Sequence, residues 1–260
     1  MFDPKDFTAP QAKPLPVFLL LDVSGSMGEV IDPENVRRTG QTVVTDGQRW
    51  EVVEGGTAKI NILNQAVKQM IDTLASEEMM ETEFLLSIII FGDKAVVHLP
   101  PTSASSANWA DMTPDGFTSM GEAFSVVKSL IEDRSVVPSR SYRPTLVLVS
   151  DGQPTDEWEA PLESLIKDGR SSKCFFMAMG IGDDPGTIVL ERFISGTPVL
   201  AEVNGISVKN KVFRASDAAQ IHEFFRKVTM SVTSRSKSVS PDSIPVSGES
   251  RSSDEDGGYW

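Results

Sequence analysis

The sequence predicts an α/β fold in which helices cover both faces of a doubly wound, mostly parallel sheet. Nearly continuous apolar runs recur along the chain, as in strands that are buried on both faces of a parallel sheet. Between them lie segments whose apolar residues recur at helical spacing. Strands and helices therefore alternate, which is the order that builds a doubly wound sheet.

The predicted strands and helices follow one another from residue 17 to residue 232. The run VFLLL is the first buried strand, and the run at 95–99 is expected to pair with the strand before it through the turn at Gly92 and Asp93. Strands are predicted at 17–21, 84–91, 95–99, 145–149 and 174–179. Helices are predicted at 60–74, 120–131, 160–166, 187–194 and 217–232, the last with Ser216 as its N-cap.

One segment between the first strand and the first helix interrupts this alternation. Residues 42–53 form two β-rich runs around Asp46 and Gly47, a pair typical of two-residue hairpin turns. We therefore predict a β-hairpin insertion over about residues 40–55, at the edge where the first strand ends. The hairpin would serve either as a structural flap or as a partner-binding element.

The chain divides into three parts by composition. Residues 1–14 are predicted to be an N-terminal extension, 15–233 the folded domain, and 234–260 a disordered, Ser-rich acidic tail that has too little apolar surface to fold. The tail has three basic and five acidic residues, a net charge of −2. Of the formal net charge of −13, −11 therefore belongs to the rest of the chain.

Charge and composition exclude several classes of function. A strongly acidic chain repels phosphate, which argues against nucleic-acid binding, and no apolar run is long enough to cross a membrane. The first residues lack a secretion signal and Cys174 has no partner for a disulfide, so we expect a cytoplasmic protein. With only His98 and His222, histidine-based chemistry is not expected.

Oxygen-bearing side chains lie where predicted strands end or helices begin. The motif D-x-S-x-S follows the first strand, Ser150-Asp151-Gly152 follows a later one, and a polar loop precedes the helix at 120. In a doubly wound sheet these segments can converge on one point. Carboxylates and hydroxyls suit Mg²⁺ or Mn²⁺ better than Zn²⁺. The candidate ligands are Asp22, Ser24, Ser26, Thr118 and Asp151.

These five residues, in this order, resemble the metal-ion-dependent adhesion site of von Willebrand factor A domains. The stretches 15–27 and 142–156 look most similar to the bacterial TerY-like group of tellurite-resistance operons, and the resemblance extends over about residues 15–230. It implies a Rossmann-like fold and a metal held directly by the hydroxyls, with the aspartates mostly acting through water. It also implies a bacterial stress or defence complex for phospho-signalling, with a Ser/Thr kinase and a metal-dependent protein phosphatase. The segment from about residue 28 to residue 58 is longer than usual, and one cysteine cannot build the Cys-rich module of some relatives.

The pattern predicts a metal-dependent protein–protein interaction module rather than an enzyme. A coordination position left by the protein could accept an acidic side chain from a partner. One alternative is a metal-dependent phosphohydrolase with Asp22 as nucleophile, although Ser24 stands where such enzymes need a second aspartate as general acid. Another is a scaffold that binds through the tail. Asp93 and Asp156 are candidates for residues that support the ligands without binding the ion directly. Trp50 and Trp109 are candidates for exposed residues that contact a partner.

Overall fold

The structure is a computed structural model of the chain. It describes residues 13–31, 36–45, 48–78, 82–182, 186–197, 202–203, 206–207, 211–239 and 241–242. The strands are β1 (Lys13–Asp22), β2 (Arg37–Thr45), β3 (Gln48–Glu54), β4 (Thr82–Phe91), β5 (Ala95–Ser103), β6 (Thr145–Ser150), β7 (Phe175–Ile181), β8 (Glu202–Val203), β9 (Ile206–Ser207) and β10 (Phe213–Ala215). The helices are α1 (Lys59–Glu77), α2 (Met120–Glu132), α3 (Glu159–Lys167), α4 (Thr187–Ile194) and α5 (Ala218–Ser236).

Six of these strands form the central sheet, in the order β10-β7-β6-β1-β4-β5. All neighbouring pairs are parallel except β4 and β5, which are antiparallel and joined by the predicted short turn. The doubly wound, mostly parallel sheet is therefore confirmed. The predicted strands and helices are all present, and most of them are one to four residues longer than their apolar runs. Strand β7 begins at Phe175, one residue later than predicted, so Cys174 lies just before it.

The two faces of β1 explain why its sequence is apolar throughout. Leu19 and Leu21 lie in the cluster that contains the buried faces of α1 and α5, whereas Phe18 and Leu20 lie in the cluster that contains α2, α3 and α4. Successive residues of a strand point to opposite faces, so both sets must be apolar when helices cover both faces. Each such side chain contributes about 1.5–3 kcal/mol by its burial.

The direction of winding reverses between β1 and β6. From β1 the chain passes through α1 to β4 on one side, and from β6 it passes through α3 to β7 on the other side. The helices on the two routes cover opposite faces, which leaves a crevice at the carboxyl ends of β1 and β6. Asp22 ends β1 and Ser150 ends β6, so both lie at this crevice.

The predicted hairpin is also confirmed. Strands β2 and β3 pair antiparallel in a two-stranded sheet of their own, while the predicted turn at residues 46–47 lies outside the described residues. At its base, the Ile31 N–H donates to the Thr57 carbonyl at 3.2 Å, and the Lys59 N–H donates to the Glu29 carbonyl at 2.9 Å. The hairpin therefore begins and ends beside the first residue of α1.

Helix α5 differs from the prediction at both ends. Its N-cap is Asp217, whose carboxylate accepts a hydrogen bond from the Gln220 N–H at 2.8 Å, whereas Ser216 donates its own N–H to the Gln220 side chain at 2.7 Å. The predicted N-cap was therefore wrong by one residue. Asp217, the residue after Ser216, has the carboxylate that reaches the free N–H groups of the first turn.

At its C-terminal end, α5 continues to Ser236, beyond the predicted helix end at 232 and into the predicted tail. Arg235 is fully buried and donates to the Thr145 hydroxyl at 2.7 Å, the Arg143 carbonyl at 2.7 Å and the Pro241 carbonyl at 3.0 Å. These bonds hold residues 241–242 against the start of β6. Helix α5 and its contacts therefore extend past residue 234, where the disordered tail was predicted to begin, and residues 243–260 lie outside the described part of the structure.

Among the described residues, no helix combines the length and the apolar content that crossing a membrane requires.

Candidate metal centre

Asp22 lies fully buried at the end of β1, with both carboxylate oxygens occupied by hydrogen bonds. Its Oδ1 accepts from the Ser24 N–H at 2.8 Å, and its Oδ2 accepts from the Ser150 hydroxyl at 2.5 Å. The first bond is local and belongs to the turn that leaves β1. The second crosses from β1 to β6, so the carboxylate orientation depends on the two strands being neighbours.

Ser24, Ser26 and Asp151 form a chain of side-chain contacts beside Asp22. The two serine hydroxyl oxygens are 3.1 Å apart, and the Ser26 hydroxyl donates to Asp151 Oδ1 at 2.7 Å. A short 3₁₀ turn at Gly25–Gly28 folds the backbone back so that both hydroxyls lie on the same side. Four of the five predicted ligands are therefore directly connected through hydrogen bonds at the crevice.

The fifth predicted ligand, Thr118, is placed by its backbone. The loop before it is tied to the D-x-S-x-S turn, because the Gly25 N–H donates to the Gly116 carbonyl at 2.9 Å. On the other side, the Thr118 N–H donates to the Thr155 hydroxyl at 3.0 Å, and the Thr155 N–H returns a bond to the Thr118 carbonyl at 3.0 Å. Thr118 is buried between the loops that follow β1 and β6.

Gly116 has a conformation that other residues rarely adopt. Its φ is +60°, and a Cβ there would lie 1.8 Å from Oδ1 of Asp93. That carboxylate oxygen accepts the Phe117 N–H at 3.0 Å. Asp93 therefore holds the loop that carries Thr118.

Asp156 also helps to position Thr118, through hydrogen bonds to the beginning of α2. Its two carboxylate oxygens accept the N–H groups of Gly121 and Glu122, each at 2.9 Å, in the first turn of α2. A carboxylate at the beginning of a helix satisfies free N–H groups and interacts favourably with the helix dipole. Asp93 and Asp156, predicted to lie behind the ligands, thus contact the backbone that positions Thr118.

The site has an excess of buried negative charge. Burial and, to a lesser extent, the nearby charge of Asp151 together raise the pKa of Asp22 to about 7, against the lowering effect of the hydrogen bonds from Ser150 and Ser24. Two carboxylates that cannot both be solvated favour a cation between them. Electrostatics at the crevice therefore favours binding of a positive ion.

Sequence reasoning missed one positive group that is already there. The Lys59 ammonium lies 2.8 Å from Asp151 Oδ2 and 2.7 Å from Glu29 Oε2. Lys59 is the first residue of α1, where a cation opposes the helix dipole. Asp151 is 92 residues away from Lys59 in the chain, so the sequence held no local signal of this contact.

The donor set fits a hard divalent cation. In an octahedral site with metal–oxygen distances of about 2.1 Å, neighbouring ligand oxygens are separated by about 3 Å. The 3.1 Å between the hydroxyl oxygens of Ser24 and Ser26 matches that separation. Among the described residues there is no group of three or more His, Cys, Asp or Glu side chains arranged to hold a metal, so hydroxyls would have to supply much of this site's ligation.

Exposed apolar side chains stand on the loops around the crevice. Phe117 is 55% exposed beside Thr118, and Ile188 is 67% exposed in the first turn of α4. Gly186, before that turn, has a φ of +66°, and a Cβ there would lie 2.4 Å from the carbonyl oxygen of Gly152, next to Asp151. Phe117 is thus next to Thr118, and the beginning of α4, which carries Ile188, lies against the loop that carries Asp151.

The tryptophans predicted as contact residues have different outcomes. Trp109 is partly buried against the core, donates its Nε1–H to Asp111 at 2.8 Å, and packs edge-on against His98 at 5.5 Å. It therefore packs onto the sheet, the alternative that its sequence position left open. The side chain of Trp50 lies outside the described part of the structure.

The sequence profile of the von Willebrand factor type A domain matches residues 17–153, more than half of the 260-residue chain. The chain therefore belongs to the von Willebrand factor type A domain family. The match begins in β1 and ends just after Asp151, so it includes all five predicted ligands and the hairpin. No curated protein matches the chain.

Solved structures of low sequence identity share the fold. A von Willebrand factor type A protein from Catenulispora acidiphila is 20% identical, with a TM-score of 0.55 over 85% of this chain and 43% of its own. The ArnB paralog VWA2 from Sulfolobus acidocaldarius is 13% identical, with a TM-score of 0.54 over 84% and 45%. Proximal thread matrix protein 1 from the mussel byssus, with a zinc-occupied metal-ion-dependent adhesion site, is 14% identical, with a TM-score of 0.53 over 85% and 48%. This chain spans less than half the length of each.

Proposed function

We propose that this domain is a metal-dependent protein–protein interaction module. Asp22, Ser24, Ser26, Thr118 and Asp151 would hold one Mg²⁺ or Mn²⁺ ion at the crevice between β1 and β6. The observation that carries the proposal is the connected set of oxygens there, in which Ser24, Ser26 and Asp151 contact one another beside the buried Asp22. The mussel protein with zinc in a site of this type supports divalent metal binding in this fold.

The protein's own residues would prepare this site in two ways. The Ser24 N–H and the Ser150 hydroxyl fix the Asp22 carboxylate, so little reorganisation is needed on binding. Neutral hydroxyls as ligands add no charge, so the bound ion would remain attractive to an anion. When bound, the ion would supply a coordination position for a carboxylate from another protein.

The surroundings of the site suit a partner that presents an acidic side chain within an apolar patch. Phe117 and Ile188 flank the crevice and are largely exposed. Apolar contacts around a central charged contact exclude water from it and strengthen it. The hairpin begins beside the site and also carries exposed apolar side chains, Val43 and Val44.

We further propose that the domain acts in a bacterial, cytoplasmic stress-response complex with a Ser/Thr kinase and a metal-dependent protein phosphatase. The support is the resemblance of residues 15–27 and 142–156 to the TerY-like group, together with the single buried Cys174. Co-purification from the native host, with and without EDTA, tests it. We expect acidic-surfaced partners, a kinase or phosphatase among them, to be lost in EDTA.

Absence of enzymatic activity is part of the proposal. The Asp22 side chain is fully buried and both of its oxygens accept hydrogen bonds, which is a poor arrangement for a nucleophile that must reach a phosphorus atom. Ser24 cannot serve as the general acid near neutral pH. Turnover of p-nitrophenyl phosphate by the pure chain, lost in Asp22→Ala, would favour the phosphohydrolase instead.

Binding through the tail is the other alternative, and the structure defines how to test it. A deletion that begins at residue 234 would remove Arg235 and the segment it holds, so it would disturb the folded domain. A deletion of residues 243–260 avoids this. Unchanged partner recovery by that variant supports the metal site as the binding element, and loss of the partners supports the tail.

Titration of the pure full chain with Mn²⁺, Mg²⁺ and Zn²⁺ tests the metal site directly. We expect saturable one-to-one binding of Mn²⁺ and Mg²⁺ by calorimetry, with a rise in Tm that EDTA reverses. No binding at millimolar concentrations of any of the three ions would contradict the proposed function.

A further inference from the structure

Lys59 lies within the set of predicted metal ligands. Its ammonium contacts the Asp151 carboxylate at 2.8 Å, the Glu29 carboxylate at 2.7 Å and the Ser26 carbonyl at 3.4 Å. The residue is only 8% exposed. An internal cation therefore occupies one side of a site that is built to attract cations.

Placing the Lys59 ammonium at this position costs free energy, and its contacts with the two carboxylates offset that cost. The ammonium is partly desolvated, and its residue begins a helix, where the dipole disfavours positive charge. Two direct ion pairs, with Asp151 at 2.8 Å and with Glu29 at 2.7 Å, offset the desolvation of the ammonium.

The base of the hairpin places Glu29 beside Lys59. Its two ends meet where Val30 forms a bridge to Ala58 and the Lys59 N–H donates to the Glu29 carbonyl. Glu29 and Lys59 are thereby held side by side, although 30 residues separate them. The insertion thus delivers an ion pair to the edge of the site.

We propose that Lys59 is a tethered cation that competes with the divalent ion for Asp151. Without metal it balances the buried Asp151 and stabilises the domain. With metal bound, Asp151 interacts with both the divalent ion and the ammonium, and Glu29 remains as the partner of the ammonium. Lys59 thereby lowers the affinity of the site for divalent ions and keeps the metal-free domain folded. This inference rests on the proposed metal-binding function.

The experiment compares the full-length wild type with Lys59→Met, which keeps the length of the side chain and removes its charge. Mn²⁺ affinity is measured by calorimetry and Tm by differential scanning calorimetry in EDTA and in saturating Mn²⁺. We expect Lys59→Met to bind Mn²⁺ at least tenfold more tightly. We also expect its Tm to fall in EDTA and to return toward the wild-type value in Mn²⁺, because the ion then neutralises Asp151.

Two further variants separate charge from packing. Lys59→Arg retains the charge and should bind Mn²⁺ within about threefold of the wild type. Glu29→Gln removes the second partner of the ammonium, which leaves Lys59 with Asp151 alone and should weaken Mn²⁺ binding. If Lys59→Met is unfolded in EDTA but folds in Mn²⁺, the proposal is supported, whereas failure to fold in both media overturns it.

The outcomes distinguish this inference from the proposed function. Equal or weaker Mn²⁺ binding by folded Lys59→Met, with normal binding by the wild type, overturns the tethered-cation role alone. Absence of Mn²⁺ binding by every variant and by the wild type overturns the metal site, and the inference with it.

Discussion

A buried cation lies at each end of β6, and the two have opposite electrostatic surroundings. At the amino end, Arg235 donates to two carbonyls and a hydroxyl and lies over the Phe175 ring at 4.0 Å, with the Asp242 carboxylate at 3.6 Å. Burial lowers the pKa of Arg235 to about 10. At the carboxyl end, Lys59 contacts two carboxylates directly and its pKa is raised.

The comparison separates a structural polar cluster from a binding site. The partners of Arg235 are mostly neutral, so its hydrogen bonds satisfy the cluster and leave no attraction for another ion. The Lys59 ammonium contacts the carboxylates of Asp151 and Glu29, and the charge of Asp151 also acts on the buried Asp22, so carboxylates outnumber cations at this end. The excess of buried negative charge, more than burial itself, indicates a site for a cation.

The largest effect is expected at the amino end. Arg235→Met removes three buried hydrogen bonds and should lower the free energy of unfolding by about 3 kcal/mol, measured in urea. Mn²⁺ affinity should stay unchanged, because Arg235 lies at the amino end of β6 and the predicted ligands lie at its carboxyl end. The matched control is Arg226→Met on the exposed side of the same helix, with an expected change below about 0.5 kcal/mol. A loss of Mn²⁺ binding in Arg235→Met would mean that the two ends are coupled.

The next effect is at Asp22. Asp22→Asn should weaken Mn²⁺ binding by about 100-fold, equivalent to about 2.7 kcal/mol, because one of the two site charges is removed. In EDTA its Tm should equal or exceed that of the wild type, since a buried charge beside Asp151 no longer needs to be accommodated. Normal Mn²⁺ binding by this variant would show that Asp22 is not part of the metal site.

Ser24→Ala should have a smaller effect. Its hydroxyl is lost, whereas the bond from its backbone N–H to Asp22 is kept, so we expect about tenfold weaker Mn²⁺ binding with little change in Tm in EDTA. Ser129→Ala, at an exposed position of α2, is the control and should match the wild type. If both variants bind Mn²⁺ equally well, the hydroxyl of Ser24 is not a ligand.

The smallest expected change concerns Cys174. The thiol is fully buried, and burial raises its pKa, so it should not react with a thiol reagent in the native protein. We expect labelling only after denaturation in guanidinium, at a rate unaffected by Mn²⁺. Fast labelling of the native protein would mean that the segment just before β7 opens readily, and would reverse the assignment of Cys174 as a core residue.

Much of the candidate metal centre could be predicted because the proposed ligands are marked by local sequence. Asp22, Ser24 and Ser26 lie within one turn after a strand, and Asp151 follows another, so the rule for strand ends was enough to group them. Their hydrogen bonds were not predictable, since the contact of Ser26 with Asp151 joins residues 125 positions apart. Thr155 and Ser150 were missed as supports of the ligands, because their partners are known only once β1 and β6 are neighbours.

The sequence by itself determined the fold class, the hairpin and the polar composition of the site, because strands, helices and turns follow from periodicities that are local in the chain. Only the tertiary structure decided where Lys59 and Arg235 lie. Lys59 meets Asp151 across 92 residues and Arg235 meets Thr145 across 90. Whether a charged side chain is solvated or buried beside a carboxylate depends on packing between distant segments, and no local pattern records that.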